Sequence, residues 1–257
     1  LFYYCSSHSG MGGQANTPVT NSFSNFSGSI QTNISPNTTS KFSIVKYTGT
    51  GSNATIGHGL SAVPKMIIVK NISTSDSWMV YHVGSGSNAY LHLETTNAAL
   101  SPSTAQFQAT TPTSSLFYVG TADGTNKSSS TMIAYCFADV QGYSKFGSYT
   151  GNGSATDGVY IDLGFKAAWF MCKRYNASGH DWVIFNNKAL GYNPDNNTLL
   201  ANSNAAEGTA DRMDILSNGV KMYNNNGSEN ESGGTYIYMA FAENPFTSSA
   251  GTPVTAR

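Results

Sequence analysis

From Lys41 onward apolar and polar residues alternate: Phe42 and Ile44 fall to one side, Ser43, Val45 and Tyr47 to the other. A period of two is what a half-buried strand requires. Short β-rich runs follow at residues 55–60, 65–70, 78–83, 90–94, 116–119 and 131–140. Clusters of Gly, Ser, Asn, Thr and Pro separate them, at 49–53, 73–77, 84–88, 110–115 and 120–130. A second series occupies 143–150, 159–165, 169–174, 182–186, 211–216, 219–223 and 235–243. No long run has helical periodicity. Many short strands with turn signals between them predict an all-β chain, a sandwich or jelly roll.

The two series are copies of one another. Lys46-Tyr47-Thr48-Gly49-Thr50-Gly51 returns as Ser148-Tyr149-Thr150-Gly151-Asn152-Gly153, and Ser77-Trp78-Met79-Val80-Tyr81 as Asp181-Trp182-Val183-Ile184-Phe185. Ile133-Ala134-Tyr135-Cys136-Phe137-Ala138-Asp139 returns as Ile237-Tyr238-Met239-Ala240-Phe241-Ala242-Glu243. Tyr149 falls 102 residues after Tyr47, Trp182 104 after Trp78 and Phe241 104 after Phe137. Separate blocks that hold one spacing mark a tandem duplication. The division that follows is 1–41, an N-terminal remnant and extended linker; 42–142, a first β-sandwich module; and 143–257, a second. On this alignment 66–70 answers 170–174, which sets Trp169 against Lys65. The run 235–242 is apolar on both faces, so it and its twin 131–139 are expected at the centre of their sheets. Asn218-Gly219 between apolar runs predicts a hairpin. Residues 189–197 read as an inserted loop, and 204–210 as one helical turn at most.

Composition narrows the function. Only 11% of the 257 residues are charged, against about a quarter in an ordinary domain, and the net charge is −1. The 13 Lys and Arg are scattered, so the basic face that a nucleic-acid partner needs is missing. No apolar run is long enough for a membrane-spanning helix. Leu1-Phe2-Tyr3-Tyr4-Cys5 is neither an initiator nor a signal peptide, so the chain is expected to begin inside a longer protein. Three cysteines cannot all pair, and Cys136 and Cys172 sit in apolar strands as small buried groups.

Two resemblances appear. The modules, with Tyr149-Thr150-Gly151-Asn152-Gly153-Ser154, Gly164-Phe165-Lys166, Asp181-Trp182, Leu216-Ser217-Asn218-Gly219 and the run from Thr235 to Phe246, resemble virion proteins of marine tailed phages. The likeness covers roughly 28–257. It implies a concanavalin-like jelly-roll sandwich in each module and a virion structural role, most naturally in the distal part of a tail fibre or appendage. Implied partners are other virion subunits, a homo-oligomer (a trimer by analogy with tail fibres) and a host-surface polysaccharide. Implied localisation is the virion, assembled in the bacterial host cytoplasm. Separately, Cys5-Ser6-Ser7-His8-Ser9-Gly10-Met11 resembles the Cys-x2-His-x2-Met copper loop of cupredoxins. Cys5, His8 and Met11 would be the metal ligands. The further histidine of such a site has no upstream segment to come from, so a remnant that holds no copper is expected.

No catalytic motif stands out: there is no nucleophile elbow, phosphate loop or zinc helix, and the 14 carboxylates form no recognisable pair. Asp157 and Asp162 fall on opposite faces if their run is one strand. The expectation is a protein that is not an enzyme and needs no cofactor. For a saccharide, Trp169, without a Trp twin, and Tyr192, Asp195 and Asn196 of the inserted loop are the candidate ligand-binding residues. Asp195, Asn196 and Asn197 also offer oxygens suited to calcium, although a solvated turn explains them as simply. Trp78 and Trp182, at equivalent positions, read as core packing. Two alternatives stand beside the fibre: a capsid decoration or head-fibre protein that binds no ligand, and a carbohydrate-active domain, which would need convergent carboxylates.

Overall fold

The computed structural model describes residues 2–4, 12–14, 22–188, 193 and 195–244. Strands β1 (Phe2–Tyr4) and β2 (Gly12–Gln14) form a small antiparallel ladder. The first large sheet contains β3 (Phe23–Asn25), β4 (Thr32–Asn37), β5 (Phe42–Thr48), β7 (Met66–Asn71), β8 (Met79–His82), β9 (Leu91–His92) and β11 (Thr131–Phe137). Its order is β3-β4-β5-β11-β7-β8-β9. Strands β6 (Ala54–Gly57) and β10 (Leu116–Val119) pair separately and cover one face. Two single-turn helices, α1 (Thr104–Phe107) and α2 (Asp123–Asn126), occupy the connections.

The second sheet joins β12 (Ser144–Thr150), β13 (Tyr160–Asp162), β14 (Ala167–Arg174), β15 (Trp182–Asn186), β16 (Asp195–Leu200), β17 (Gly208–Leu216), β18 (Gly219–Met222) and β19 (Thr235–Ala242). Its order is β12-β19-β14-β15-β16-β17-β18-β13. Strand β16 pairs with β15 at its end and with β17 at its start, which folds the sheet over its own core. The duplication is visible in the pairing: β5-β11-β7-β8 has the order of β12-β19-β14-β15, and β6 with β10 corresponds to β13 with β18. As expected, β11 and β19 are flanked on both sides.

Three apolar cores result. Ile34, Val45, Ile67, Val69, Met132 and Ala134 close against Ile56, Phe117 and Val119 in the first sandwich. Phe170, Cys172, Val183, Phe185 and Ala240 close against Met213, Ile215, Val220 and Met222 in the second. Met66, Val80 and Leu91 of the first sheet meet Phe146, Met171, Trp182, Ile237 and Met239 of the second in a seam between them. Each such side chain contributes about 1.5–3 kcal/mol of transfer free energy. Cys136 and Cys172 are buried and free, as expected.

Four readings change. The sheet begins well before Phe42, since β3 and β4 extend it and Ile30 and Ile34 enter the first core. A low-complexity stretch with only two isoleucines looks like a linker, but each isoleucine fills a core position. Residues 195–197 of the inserted loop begin strand β16, and 208–210 extend β17 where a helical turn was expected. The hairpin forms, with its turn at Ser217 and Asn218. Finally, the pairing places Phe241 opposite Trp169 and Phe137 opposite Met66. Trp169 therefore answers Met66, not Lys65, and Lys173 answers Lys70. A register irregularity between Ala167 and Trp169 absorbs the extra residue. A one-residue slip exchanges the faces of a strand, so the register decides which residues can meet the seam.

Candidate functional site

The polar groups divide between two turn clusters and the seam. In each sandwich a tyrosine at the end of the first central strand donates to a carbonyl of the last long loop: Tyr47 to Thr125 (2.5 Å) and Tyr149 to Glu229 (2.7 Å). The next residue, Asn126 or Asn230, is fully buried. Asn126 Oδ1 accepts from Thr50 N while Nδ2 donates to Ser52 O and Gly120 O. Asn230 does the same with Asn152 N, Ser154 O and Asn224 O. A buried amide satisfied at both ends fixes the loop that carries it.

The copies then diverge. Thr125 is neutral and bonds Gln106 O and Ala122 O, whereas its counterpart Glu229 is a buried carboxylate. Arg212 Nη1 donates to Glu229 Oε1 at 2.5 Å, and Oε2 has no partner among the described residues. Burial raises the Glu229 carboxyl above the usual range and Arg212 opposes the rise. Nearby, Arg174 pairs with Glu231 and lies 3.1 Å from His180 Nε2. Burial, then the Arg174 and Lys173 charges, lower the His180 pKa. Burial pushes the Cys172 thiol far up, so it supplies no thiolate nucleophile. Among the described residues no three metal-ligating side chains stand together.

The seam is built from rows of side chains that run across the strands. On the second sheet, Trp182, Lys173 and Ile237 form one buried row, and Met171, Met239 and Phe146 the next. Trp182 Nε1 donates to His92 O (3.0 Å), and Lys173 Nζ donates to His180 O (2.5 Å) and across to Thr96 O (3.2 Å). Backbone N–H groups of Ala99 and Gly179 donate across to Tyr175 O and Thr96 O. Gly84 fits because it lacks a side chain: a Cβ there would lie 2.9 Å from Ser148 Cβ. Lys173 has its pKa drawn down to about 8, by burial first. His82, also buried, accepts from Gly84 N at Nδ1 and donates from Nε2 to Tyr238 O (3.1 Å), which fixes the neutral tautomer. Burial pulls its pKa down to about 4.

The equivalent row on the first sheet is open. Trp78, Lys70 and Ile133 are half-buried, and Lys46 is exposed. Lys70 Nζ bonds Asp76 O, the counterpart of His180 O, and stands 5.5 Å from the Trp78 ring. Trp78 in turn stacks on Tyr135 at 6.5 Å. Beyond Lys46 a shallow groove of about 390 Å³ is lined by Gln31, Asn33, Lys46 and Thr48.

The candidate saccharide residues are not gathered into one cluster. Trp169 is half-buried on β14, its ring 5.9 Å from Phe241. Asp195 and Asn196 lie on β16, separated from β14 by β15. Tyr192 lies outside the described residues, as do Cys5, His8 and Met11 of the copper-like loop. Asn197 is buried and bonds Glu207 at 3.1 Å. Trp182 packs in the core as expected, while Trp78 is only half covered. Sequence reasoning missed Lys173, His82 and the Arg212–Glu229 pair. A lysine inside an apolar strand (Phe170-Met171-Cys172-Lys173) was a usable signal; Glu229, in an Asn- and Ser-rich loop, gave none.

These features define a charge-poor double β-sandwich whose buried polar groups are tied to its own turns and seam. The chain belongs to the family described as Domain of unknown function (DUF7483), which matches residues 15–245. No curated protein matches it. Among solved structures it is similar to the major capsid protein P2 from bacteriophage PM2, at 12% identity over 77% of this chain and 96% of that one, with a TM-score of 0.25. A likeness at that score does not establish a shared fold.

Proposed function

We propose that this chain is a structural component of a phage virion, without catalytic activity, in the distal part of a tail fibre or similar appendage. Its work there is assembly with neighbouring subunits and contact with a host-surface saccharide. The observation that carries the reading is the seam: two sandwiches share an apolar core, cross-linked by His82, Trp182 and Lys173, so that they form one stiff body. Low charge and a surface of short polar side chains suit an extracellular particle, and the motifs shared with marine phage virion proteins point the same way. Arg212 is held by Glu229 Oε1 and Arg174 by Glu231, which favours a scaffold over a reaction centre. Saccharide contact is assigned to Trp169 and the β16 segment with Asp195 and Asn196.

Quantitative mass spectrometry of purified particles of the encoding phage tests the reading. The chain should be present in a fixed number of copies per particle. A chain found in infected cells and missing from particles would refute the assignment. For the saccharide part, Trp169→Ala should weaken binding to host polysaccharide at least tenfold while leaving the circular dichroism spectrum unchanged. Equal binding by both proteins would remove Trp169 from the site.

A further inference from the structure

The duplication places a filled strand slot in one sandwich and an open one in the other. In the first sandwich β4 pairs antiparallel with β5, with Thr32 opposite Tyr47, Asn33 opposite Lys46 and Ile34 opposite Val45. Just before it, Ser29 N and Ile30 N donate to Thr55 O of β6 (3.0 and 3.3 Å). Residues 29–37 therefore close the gap between two sheet edges, and Ile30 and Ile34 enter the core. The second sandwich has the same two edges, β12 and β13, at the ends of its strand order. Only the start of β12 is engaged there, through the Val140–Ser144 bridge and a bond from Phe146 N to Asp139 Oδ1 (2.9 Å). Both point away from β19, so the alternation of an antiparallel ladder turns the N–H and C=O groups of Ser148 and Thr150 outward too. No described residue pairs with them. Three further positions record the missing strand. A Cβ on Gly59 would lie 2.6 Å from Ile34 Cδ1, whereas one on its twin Gly164 would meet nothing within 4 Å. Tyr47 is buried beside Thr32, and its twin Tyr149 is half-buried. Tyr160, the counterpart of Thr55, is 43% exposed. Lys145 Nζ crosses the gap to Asp162 O (2.7 Å), much as Lys41 Nζ reaches Leu60 O (3.1 Å) in the first sandwich with β4 in place.

We propose that the slot between β12 and β13 receives an extended strand from another polypeptide. An unpaired sheet edge is a template for such a strand, with main-chain bonds giving affinity and alternate side chains giving selectivity. The first sandwich shows what the occupant is: an uncharged segment, antiparallel to β12, with an aliphatic side chain turned inward over Gly164 as Ile34 is over Gly59. Two residues earlier a small β-branched side chain covers Tyr149, as Thr32 covers Tyr47. The chain has no such segment ahead of β12, because β11 is committed to the first sheet and a tight turn at Val140–Ser144 follows it. The donor is therefore a different molecule. Capture of a peptide by the purified chain is the readout, so the inference does not depend on where the protein sits on a particle.

The probe is a synthetic peptide with the sequence of residues 29–37, titrated into the full chain by calorimetry and located by amide hydrogen exchange in NMR spectra. It should bind once per chain, since the first slot is held by the chain's own strand, and it should slow exchange of the Ser148 and Thr150 amides. Two peptides N-methylated at single positions test the ladder without altering the protein. The Asn33 amide would face Ser148, so methylation there should weaken binding about tenfold, the worth of one strong hydrogen bond. The Ile34 amide would face away from β12, and its methylation should leave binding unchanged. No binding, protection elsewhere, or equal binding by the Asn33-methylated peptide would each overturn the proposal. So would Ser148 and Thr150 amides already protected in the chain alone, because the slot would then be filled from within.

Discussion

Trp182 and Trp78 hold equivalent positions, and the seam makes their removal unequal. Trp182 is 1% exposed and its indole N–H bonds His92 O across the seam. Truncating a buried tryptophan to alanine costs about 3–5 kcal/mol, and the stranded carbonyl adds about 1 kcal/mol. Trp182→Ala should therefore lose about 4–6 kcal/mol. Trp78 is half-buried; its stack on Tyr135 is worth about 0.5–1.5 kcal/mol and the Lys70 contact about 0.5–1 kcal/mol. Trp78→Ala should lose about 1–2.5 kcal/mol on those terms. Urea unfolding followed by far-ultraviolet circular dichroism is the assay, because fluorescence would change with the tryptophan itself. If the slope against urea is unchanged, the midpoint reports stability alone. Equal losses at the two positions would refute the asymmetry of the seam.

Further outcomes follow from the same structure. Asn126→Ala and Asn230→Ala each strand three backbone groups and should cost about 2–4 kcal/mol apiece, nearly equal in urea melts because the two amides make equivalent bonds. His82 is held neutral in the folded state, with a pKa near 4 against 6.5 unfolded. The unfolded chain takes up the proton first as pH falls, so stability is present above about pH 6.5 and is lost between there and pH 4. That displacement corresponds to about 3 kcal/mol. His82→Asn, which installs the residue found at the twin position Asn186, should abolish this part of the pH dependence. Glu229 has the opposite sign: its carboxyl is raised, so its contribution is full at low pH and declines as pH rises through the folded value. Glu229→Gln should flatten that portion of a stability–pH curve.

Much of the fold was legible because strands that bury one face must alternate, and the duplication gave two readings of each element. Thr235–Ala242 announced its central place by being apolar on both faces. What escaped were features set by partners distant in sequence. Ile30 and Ile34 look isolated in a polar stretch until β4 pairs with β5. Asp195 and Asn196 read as loop because an edge-to-edge crossing strand carries no strong apolar pattern. The extra residue near Ala168 is silent in sequence and moves Trp169 from opposite Lys65 to opposite Met66. The candidate site was harder still. Lys173 and Lys70 have the same local pattern, and only the packing of one sandwich on the other buries the first and leaves the second open.

The most direct measurement is the position of the protein on the particle. Antibodies raised against the purified chain and carried on gold should label the tail or its fibres on intact particles of the encoding phage. Label spread over the head would contradict the appendage reading and make the chain a capsid decoration.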